Sequence, residues 1–396
     1  YACVSVCVFL PTCVYAYVCV YFSAANRMFL DLDLPTPLRD RVEQLALLRA
    51  GPRTIRKVVK QRIITLFMHP QEPLVFAADK SGHLGFSRLS VSAEGGEEEG
   101  VQSESFGGFH DRGITGMELS RSHPGRLLTS SYDRTLRTVD IESLCSDVLF
   151  EDDDGKGFTR MKQDLLGRSI VTSVSGMVFV VDERSPSSAV KKTLHEKKVA
   201  AVSPHPLDSN FFATGSNDGT VALWDIRKIR GPQSFLEQSV HRRAVLDVSF
   251  APSGKYLAAL LMEDALALWT APSGPHQIHN LLQHSNLQLT PHNNQTGRWL
   301  SKLQIHWDAK ARNDSFLLTN LNKQNTVLLE ENNPDHVSYY SQHAVVEVIR
   351  AQDSLPLVEL FSPFCNTINT IVQLHPTLDL MATASSSGYV HLWVPP

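Results

Sequence analysis

From residue 54 to the end of the chain one unit recurs, and no other feature limits the fold as sharply. The clearest copy is HEKKVAAVSPHPLDSNFFATGSNDGTVALWDIRK, His195 to Lys228. It reads as a short strand, a His-Pro turn, a second strand, an Asp-Gly turn and a third strand ending in Trp-Asp. Weaker copies with the same frame begin at Arg62, Gly113, Phe158, Ala244, Leu300 and Asn366, which makes seven. Trp224, Trp269 and Trp393 stand at equivalent strand ends, as do Val139-Asp140 and Val181-Asp182. A repeat of this kind cannot bury an apolar face alone and must stack on its neighbours.

Most copies recur at about the 40–45 residues of a WD40 blade, with longer connections after the fifth and sixth. The fold expected is all-β: a seven-bladed WD40 β-propeller over residues 54–396 with a short N-terminal helical extension. A closed ring of four-stranded blades leaves only short, protected edges. The last copy closes on a third strand, so its outer strand is expected from TIRKVVK, Thr54 to Lys60.

Residues 28–53 form the extension, with a helix expected over 37–50. Thr36 can cap it, Pro37 suits its first position, and Gly51-Pro52 stops it. Leu38, Val42, Leu45 and Leu48 make one apolar stripe, which packs on the main fold or docks a partner. Residues 92–105, SAEGGEEEGVQSES, are acidic and unpatterned, and are expected as a flexible loop. The first 27 residues are nearly all Val, Cys, Tyr and Ala, with Pro11 interrupting. Alternating GT-type DNA translates as Val-Cys-Val, so this stretch reads as translated repeat DNA ahead of a start near Met28. A hydrophobic leader, either signal peptide or membrane anchor, is the alternative.

Bulk charge points to no partner: the net value is −4 and the sequence pI about 6.5. Charge placement does. In a propeller, residues just before each first strand gather at one mouth of the channel, and residues just after each third strand lie on the other face. The leading residues are Lys60 and Arg62; Arg112; Lys156; Lys197 and Lys198; Arg242 and Arg243; Arg298 and Lys302. Only the seventh copy lacks a cation there, offering Asn366. A positive rim on an acidic chain is the footprint of a polyanion such as duplex DNA. The competing reading is that loops favour Lys and Arg anyway. Within the stretch TGRWL, Trp299 shares the core parity of Leu303, Ile305 and Trp307, whereas Arg298 has the opposite parity and faces the mouth. Arginine there can bind phosphate or enter a groove, and an adjacent aromatic can stack on a base. Trp299 is equally placed to pack the start of its blade.

On the other face, VVDER and LWDIR end two neighbouring third strands. Trp224, Asp218 and Ser216 are read as tying the blade together. Arg184 and Arg227 follow their aspartates by two positions and have no evident blade-building task. With Asp225 they are candidates for a protein interface, where arginine's planar fork is favoured. No Gly-rich phosphate loop, Gly-x-Ser-x-Gly elbow or His-Glu-x-x-His occurs, so no enzyme is expected. Four of the six cysteines lie within the first nineteen residues, and Cys145 and Cys365 stand far apart. That is neither a disulfide framework nor a zinc set, and a reducing compartment is expected, with no metal and no cofactor.

The segments TGRWLSKLQIHWD, SSYDRTLR, VVDER and HPTLDLMATASSSGYVHLW resemble the WD repeat-containing protein 76 family, itself similar to damage-specific DNA-binding protein 2. The resemblance runs from Arg56 to Trp393. It implies a nuclear DNA- and chromatin-binding propeller of the DNA-damage response. It also implies a substrate receptor whose WDIR doublet docks damage-specific DNA-binding protein 1, the propeller adaptor of cullin-4 ligases. HEKKV and HRRAV match DNA-facing rim segments of the related protein. GRW matches its duplex-probing hairpin, with Gly297-Arg298-Trp299 in place of the wedge residues. The first docking arginine follows Val-Asp rather than Trp-Asp, and the helix matches an adaptor-docking helix by position alone. The alternative function is a protein-only scaffold whose rim binds an acidic peptide or histone partner without touching DNA.

Overall fold

The computed structural model describes residues 26–28, 36–50, 54–88, 103–153, 155–272, 274, 278–292, 303–311, 314–322, 326–330, 333–340, 343–362, 364–365 and 369–395. Six four-stranded sheets and one five-stranded sheet follow one another around a ring, and a separate two-stranded hairpin branches from the latter. Each of the first five sheets runs outward in chain order. The first is Ile63–Met68, Leu74–Asp79, Leu84–Arg88 and Ser103–Phe106; the fourth is Val199–Pro204, Phe211–Ser216, Thr220–Asp225 and Glu237–Val240. Innermost strands of neighbouring sheets pack on one another, and the last sheet (Asn369–Leu374, Met381–Ser385, Tyr389–Trp393) returns to the first. The outer strand of that last sheet is Ile55–Lys57, paired antiparallel with Tyr389–Trp393, as TIRKVVK predicts. Chain beginning and chain end are thus closed in one sheet.

The reading of seven equivalent blades is corrected. Six blades are regular, and the remaining place is taken by a five-stranded sheet built from His306–Trp307, Ser315–Asn322, His343–Arg350, Pro356–Leu360 and Asn26–Met28. Thr326–Glu330, expected as a third strand, instead pairs with Asn333–Tyr340 in the separate hairpin. HAVVEVIR takes its place, aligned with Ser315–Asn322 over all eight residues and burying Val346, Val348 and Ile349. Both segments are short apolar runs closed by polar residues, and such a run marks a buried strand without naming its partner.

Two further boundaries move. The helix α1 spans Thr36–Leu47 rather than 37–50, and Arg49 already exchanges backbone hydrogen bonds with Val394 at 2.9 Å each way. Of the acidic segment, Ser103–Ser105 lie in the outer strand of the first sheet; residues 92–102 lie outside the described residues. Val42, Leu45 and Leu48 are buried in a cluster with Val346, Val358, Leu360, Met381 and Trp393. The α1 guanidinium of Arg41 joins the turns of the last two sheets, donating to Asp308 Oδ2 at 2.7 Å and Asp379 Oδ1 at 3.0 Å. Val42, Leu45 and Leu48 of the α1 stripe are therefore spent on the propeller and are not a free partner face.

Inside the fourth sheet the chain reading is refined. Trp224 Nε1 donates to Thr214 Oγ1 at 2.7 Å, and the same hydroxyl meets His195 Nε2 at 2.7 Å. His195 Nδ1 then faces Asp218 at 3.2 Å and Thr220 at 2.9 Å. Ser216 joins at the turn, as read: its Oγ accepts from Asp218 N at 3.3 Å and donates to the carbonyl of Lys198 at 3.2 Å. His110, Thr129, Asp133 and Thr135 repeat the arrangement in the second sheet. The His-Pro turns are structural as read: Nδ1 of His69, His205 and His375 accepts backbone N–H groups two and three residues on.

Candidate functional site

In the second to fifth sheets the turn between second and third strands is hydrogen-bonded both to its own leading segment and to the segment that leads to the next sheet. In the fourth sheet Asn217 N donates to Lys198 O at 2.8 Å, and His241 N, ahead of the next sheet, donates to Gly219 O at 2.8 Å. Lys80 N meets Arg62 O at 3.1 Å, and His195 N meets Gly176 O at 3.1 Å. Close approach explains the glycine: Gly219 has φ +91°, and a Cβ there would stand 2.4 Å from the carbonyl oxygen of His241. These main-chain contacts form a belt around one face, and the leading segments predicted from sequence all lie on it where they are described.

Lys60, Arg112, Lys156, Lys197, Arg242 and Arg243 are exposed, and among the described residues their side chains take part in no ion pair or hydrogen bond. Asp111, Asp153 and Glu196 share the face, yet none lies within ion-pair distance of those six. Arg62 is half-buried, its carbonyl holding the neighbouring turn. Lys198 is half-buried too: its Nζ lies 5.4 Å from the Tyr132 ring centre and 3.1 Å from the Tyr132 hydroxyl. It belongs to a cation–π pair rather than to the unpartnered set. Arg298, Trp299 and Lys302 lie outside the described residues.

The sequence reading missed three residues of this face: Lys80, Tyr132 and Arg134, all in second-to-third-strand turns. The signal was available, because those turns share a face with the leading segments. Arg134 occupies the position held by Gly219 two sheets on, at φ +76°, and donates from Nη1 to Asp153 O at 2.6 Å. A non-glycine residue in this region carries local strain.

On the opposite face Arg184 and Arg227 are built alike. Arg184 donates from Nε and Nη2 to Asp182 at 2.9 and 2.7 Å; Arg227 does the same to Asp225 at 2.9 and 2.8 Å. Each aspartate also accepts the arginine's own backbone N–H at 3.0 Å. The forks are fixed while the side chains stay 67% and 59% exposed. The Arg184 hydrogen bonds hold Asp182 down to about 2, and those of Arg227 lower Asp225. Arg168 links the two sheets by pairing with Asp164 at 2.7 Å and donating to Ser209 O at 2.7 Å. Among the described residues no group of three or more His, Cys, Asp or Glu could hold a metal ion, and no helix is long and apolar enough to cross a membrane.

Comparison with known proteins agrees with this architecture. The WD40 family model, WD domain, G-beta repeat, matches residues 189–225. The β-propeller domain of Cps50 (Swd1) from Myceliophteria thermophila superposes with a TM-score of 0.60, covering 87% of this chain and 99% of that one, at 12% identity. The chain folds as a β-propeller and carries a WD40 repeat over residues 189–225. Similar sequences include the DNA damage-binding protein cmr1 of Neurospora crassa, 26% identical over 90% of this chain and 69% of its own length. WD repeat-containing protein 76 of Mus musculus is 27% identical over 86% of this chain and 50% of its own. DNA damage-binding protein cmr1 of Aspergillus terreus is 30% identical over 74% and 60%. The chain thus spans half to about two thirds of these relatives. The likeness to WD repeat-containing protein 76 drawn from short segments extends over most of the chain.

Proposed function

We propose that this propeller is a non-enzymatic nuclear protein that binds duplex DNA and chromatin through its basic rim, in the DNA-damage response. The observation that carries the reading is the set of six exposed cations on one hydrogen-bonded face with no counter-ion among the described residues. Neutralising phosphates is then gained without breaking any ion pair of the folded protein. Arg298 and Lys302 belong to the same leading segments by sequence, and Trp299 is the candidate stacking residue beside them. The names of the relatives support a DNA-damage role.

On the opposite face, Arg184 and Arg227, held by Asp182 and Asp225, form the surface that docks damage-specific DNA-binding protein 1. The chain would thereby act as a substrate receptor of a cullin-4 ligase. Both forks are pre-ordered, so little side-chain entropy is lost when they meet a partner.

Titration of the full chain with plain, damaged and base-modified duplex at two salt concentrations tests the DNA reading. Binding that weakens steeply with salt is expected, since each neutralised phosphate contributes about −0.9 to the log–log slope. No duplex affinity at low salt would leave the protein-only scaffold, with an acidic peptide or histone partner on the rim, as the function.

A further inference from the structure

Along the axis of the ring lies a cavity of about 220 Å³, lined among others by Arg160, Lys162, Asp247, Gln304, His306 and Trp307. It adjoins a larger one of about 740 Å³, and both are walled by Lys162, His306, Trp307 and Gln373. The larger space opens among the turns at His69, Ser120 and His375, on the face opposite the basic rim, and its walls include Phe67, Met68, Met117 and Leu374.

Hydrogen-bonding capacity in the small cavity is unbalanced. Its carboxylates are spent: Asp247 accepts from Arg160 at 3.4 Å and from Ile305 N at 2.8 Å, and the nearby Glu118 accepts from Lys162 at 2.6 Å and Gln163 N at 2.7 Å. Its donors are not. Arg160, only 8% exposed, has five N–H groups and, among the described residues, makes that one long bond. Gln304 Nε2 and Trp307 Nε1 are buried with no partner among the described residues. A buried guanidinium or amide left short of acceptors is costly, and an acceptor supplied from outside relieves several donors at once. The two cations and two carboxylates cancel, so the unspent donors rather than net charge call for the ligand. Every negative charge beyond the one they can solvate is penalised. The apolar walls of the adjoining cavity lie directly behind.

We propose that this axial cavity binds the carboxylate of an amphiphilic monocarboxylate, head first, with its apolar body in the larger cavity. The acid is either a small free molecule or an apolar residue at the C-terminus of a protein chain. Either source presents the same two acceptor oxygens to Arg160, Gln304 and Trp307. DNA binding at the other mouth takes no part in this.

Calorimetric titration of the full chain with hexanoate and with acetyl-Gly-Gly-Leu bearing a free carboxylate tests the assignment. The controls are hexanoate methyl ester, the peptide amide and inorganic phosphate. At least one acid should bind, with its neutral derivative at least tenfold weaker; the tighter acid identifies the source. Arg160→Met is the direct variant but removes a buried ion pair and could fail to fold. Gln304→Met removes no side-chain hydrogen bond to a described residue, so it should keep the unfolding midpoint and weaken the acid at least tenfold. Absence of acid binding, equal binding of ester or amide, tighter binding of phosphate, or wild-type affinity in Gln304→Met would each overturn the proposal.

Discussion

Replacing Arg112, Lys197 and Arg243 together by alanine separates a DNA-binding rim from a merely basic surface. The three sit in leading segments of different sheets, are exposed, and among the described residues form no ion pair. Their loss should therefore move stability by no more than about 0.5 kcal/mol each. The effect on duplex binding is larger and of a definite form. Each phosphate contact contributes about −0.9 to the slope of log affinity against log salt, so three lost contacts flatten it by about 2.7. Between about 50 and about 200 mM salt, the affinity ratio of wild type to variant should shrink by about 40-fold. Lys198→Ala provides the contrast, because that cation is already engaged with Tyr132, and its slope change should fall short of one contact. Fluorescence anisotropy with a short duplex, read across salt, measures all of this. A triple variant that binds more weakly with an unchanged slope would refute direct phosphate contact at these positions.

Arg134→Gly and Arg134→Ala should weaken duplex binding equally, since both delete the guanidinium, while differing in stability. At φ +76° the glycine variant should be the more stable by about 1 kcal/mol in urea denaturation. Arg184→Ala with Arg227→Ala should abolish recovery of the ligase adaptor in pull-down and leave duplex affinity unchanged; undiminished recovery would count against the docking assignment. Acid should also destabilise the fold. Burial lowers His391 to about 4, and burial with the nearby Lys162 charge lowers His306 to about 4. Both are thus neutral when folded, while the unfolded chain takes up protons below about pH 6.5. Stability should fall from about pH 6.5 towards pH 4, by up to about 1.4 kcal/mol per pH unit for each histidine. His391→Gln should remove one share of that slope in denaturant midpoints measured at several pH values.

Much of the ring was legible because a blade is a local object. Strands, turns and Trp-Asp endings recur in order, and even the closure by Ile55–Lys57 follows from counting strands. What failed was pairing across distance. TVLLE and HAVVEVIR are both apolar runs with polar ends, and only the eight-residue alignment with Ser315–Asn322 decides which joins the sheet. Thr214 was overlooked beside Ser216 for a related reason. Both hydroxyls lie on one strand, and which of them reaches Trp224 and His195 depends on side-chain direction in the assembled sheet. The positive rim was readable since it depends only on place in the repeat. The lone status of its members was not, because Lys198 differs from Lys197 by a contact with Tyr132 from a sheet two places away.

The two faces answer different physical demands. On the rim the belt is made by main-chain groups, as between Gly219 O and His241 N, so the six exposed cations have no side-chain part in holding the described ring. They can be Lys or Arg in any mixture, and each must be ordered anew on binding, which suits a diffuse, salt-sensitive attraction to many phosphates. On the far face, Arg184 and Arg227 are already locked by two hydrogen bonds each, which fixes the direction of the remaining N–H groups. A fixed fork selects acceptors at set positions, which a protein surface offers and a sliding duplex does not. Exchanging arginine for lysine should therefore be tolerated at Arg243 and not at Arg227. Equal tolerance at both, in duplex binding for the one and adaptor recovery for the other, would remove this distinction between the faces.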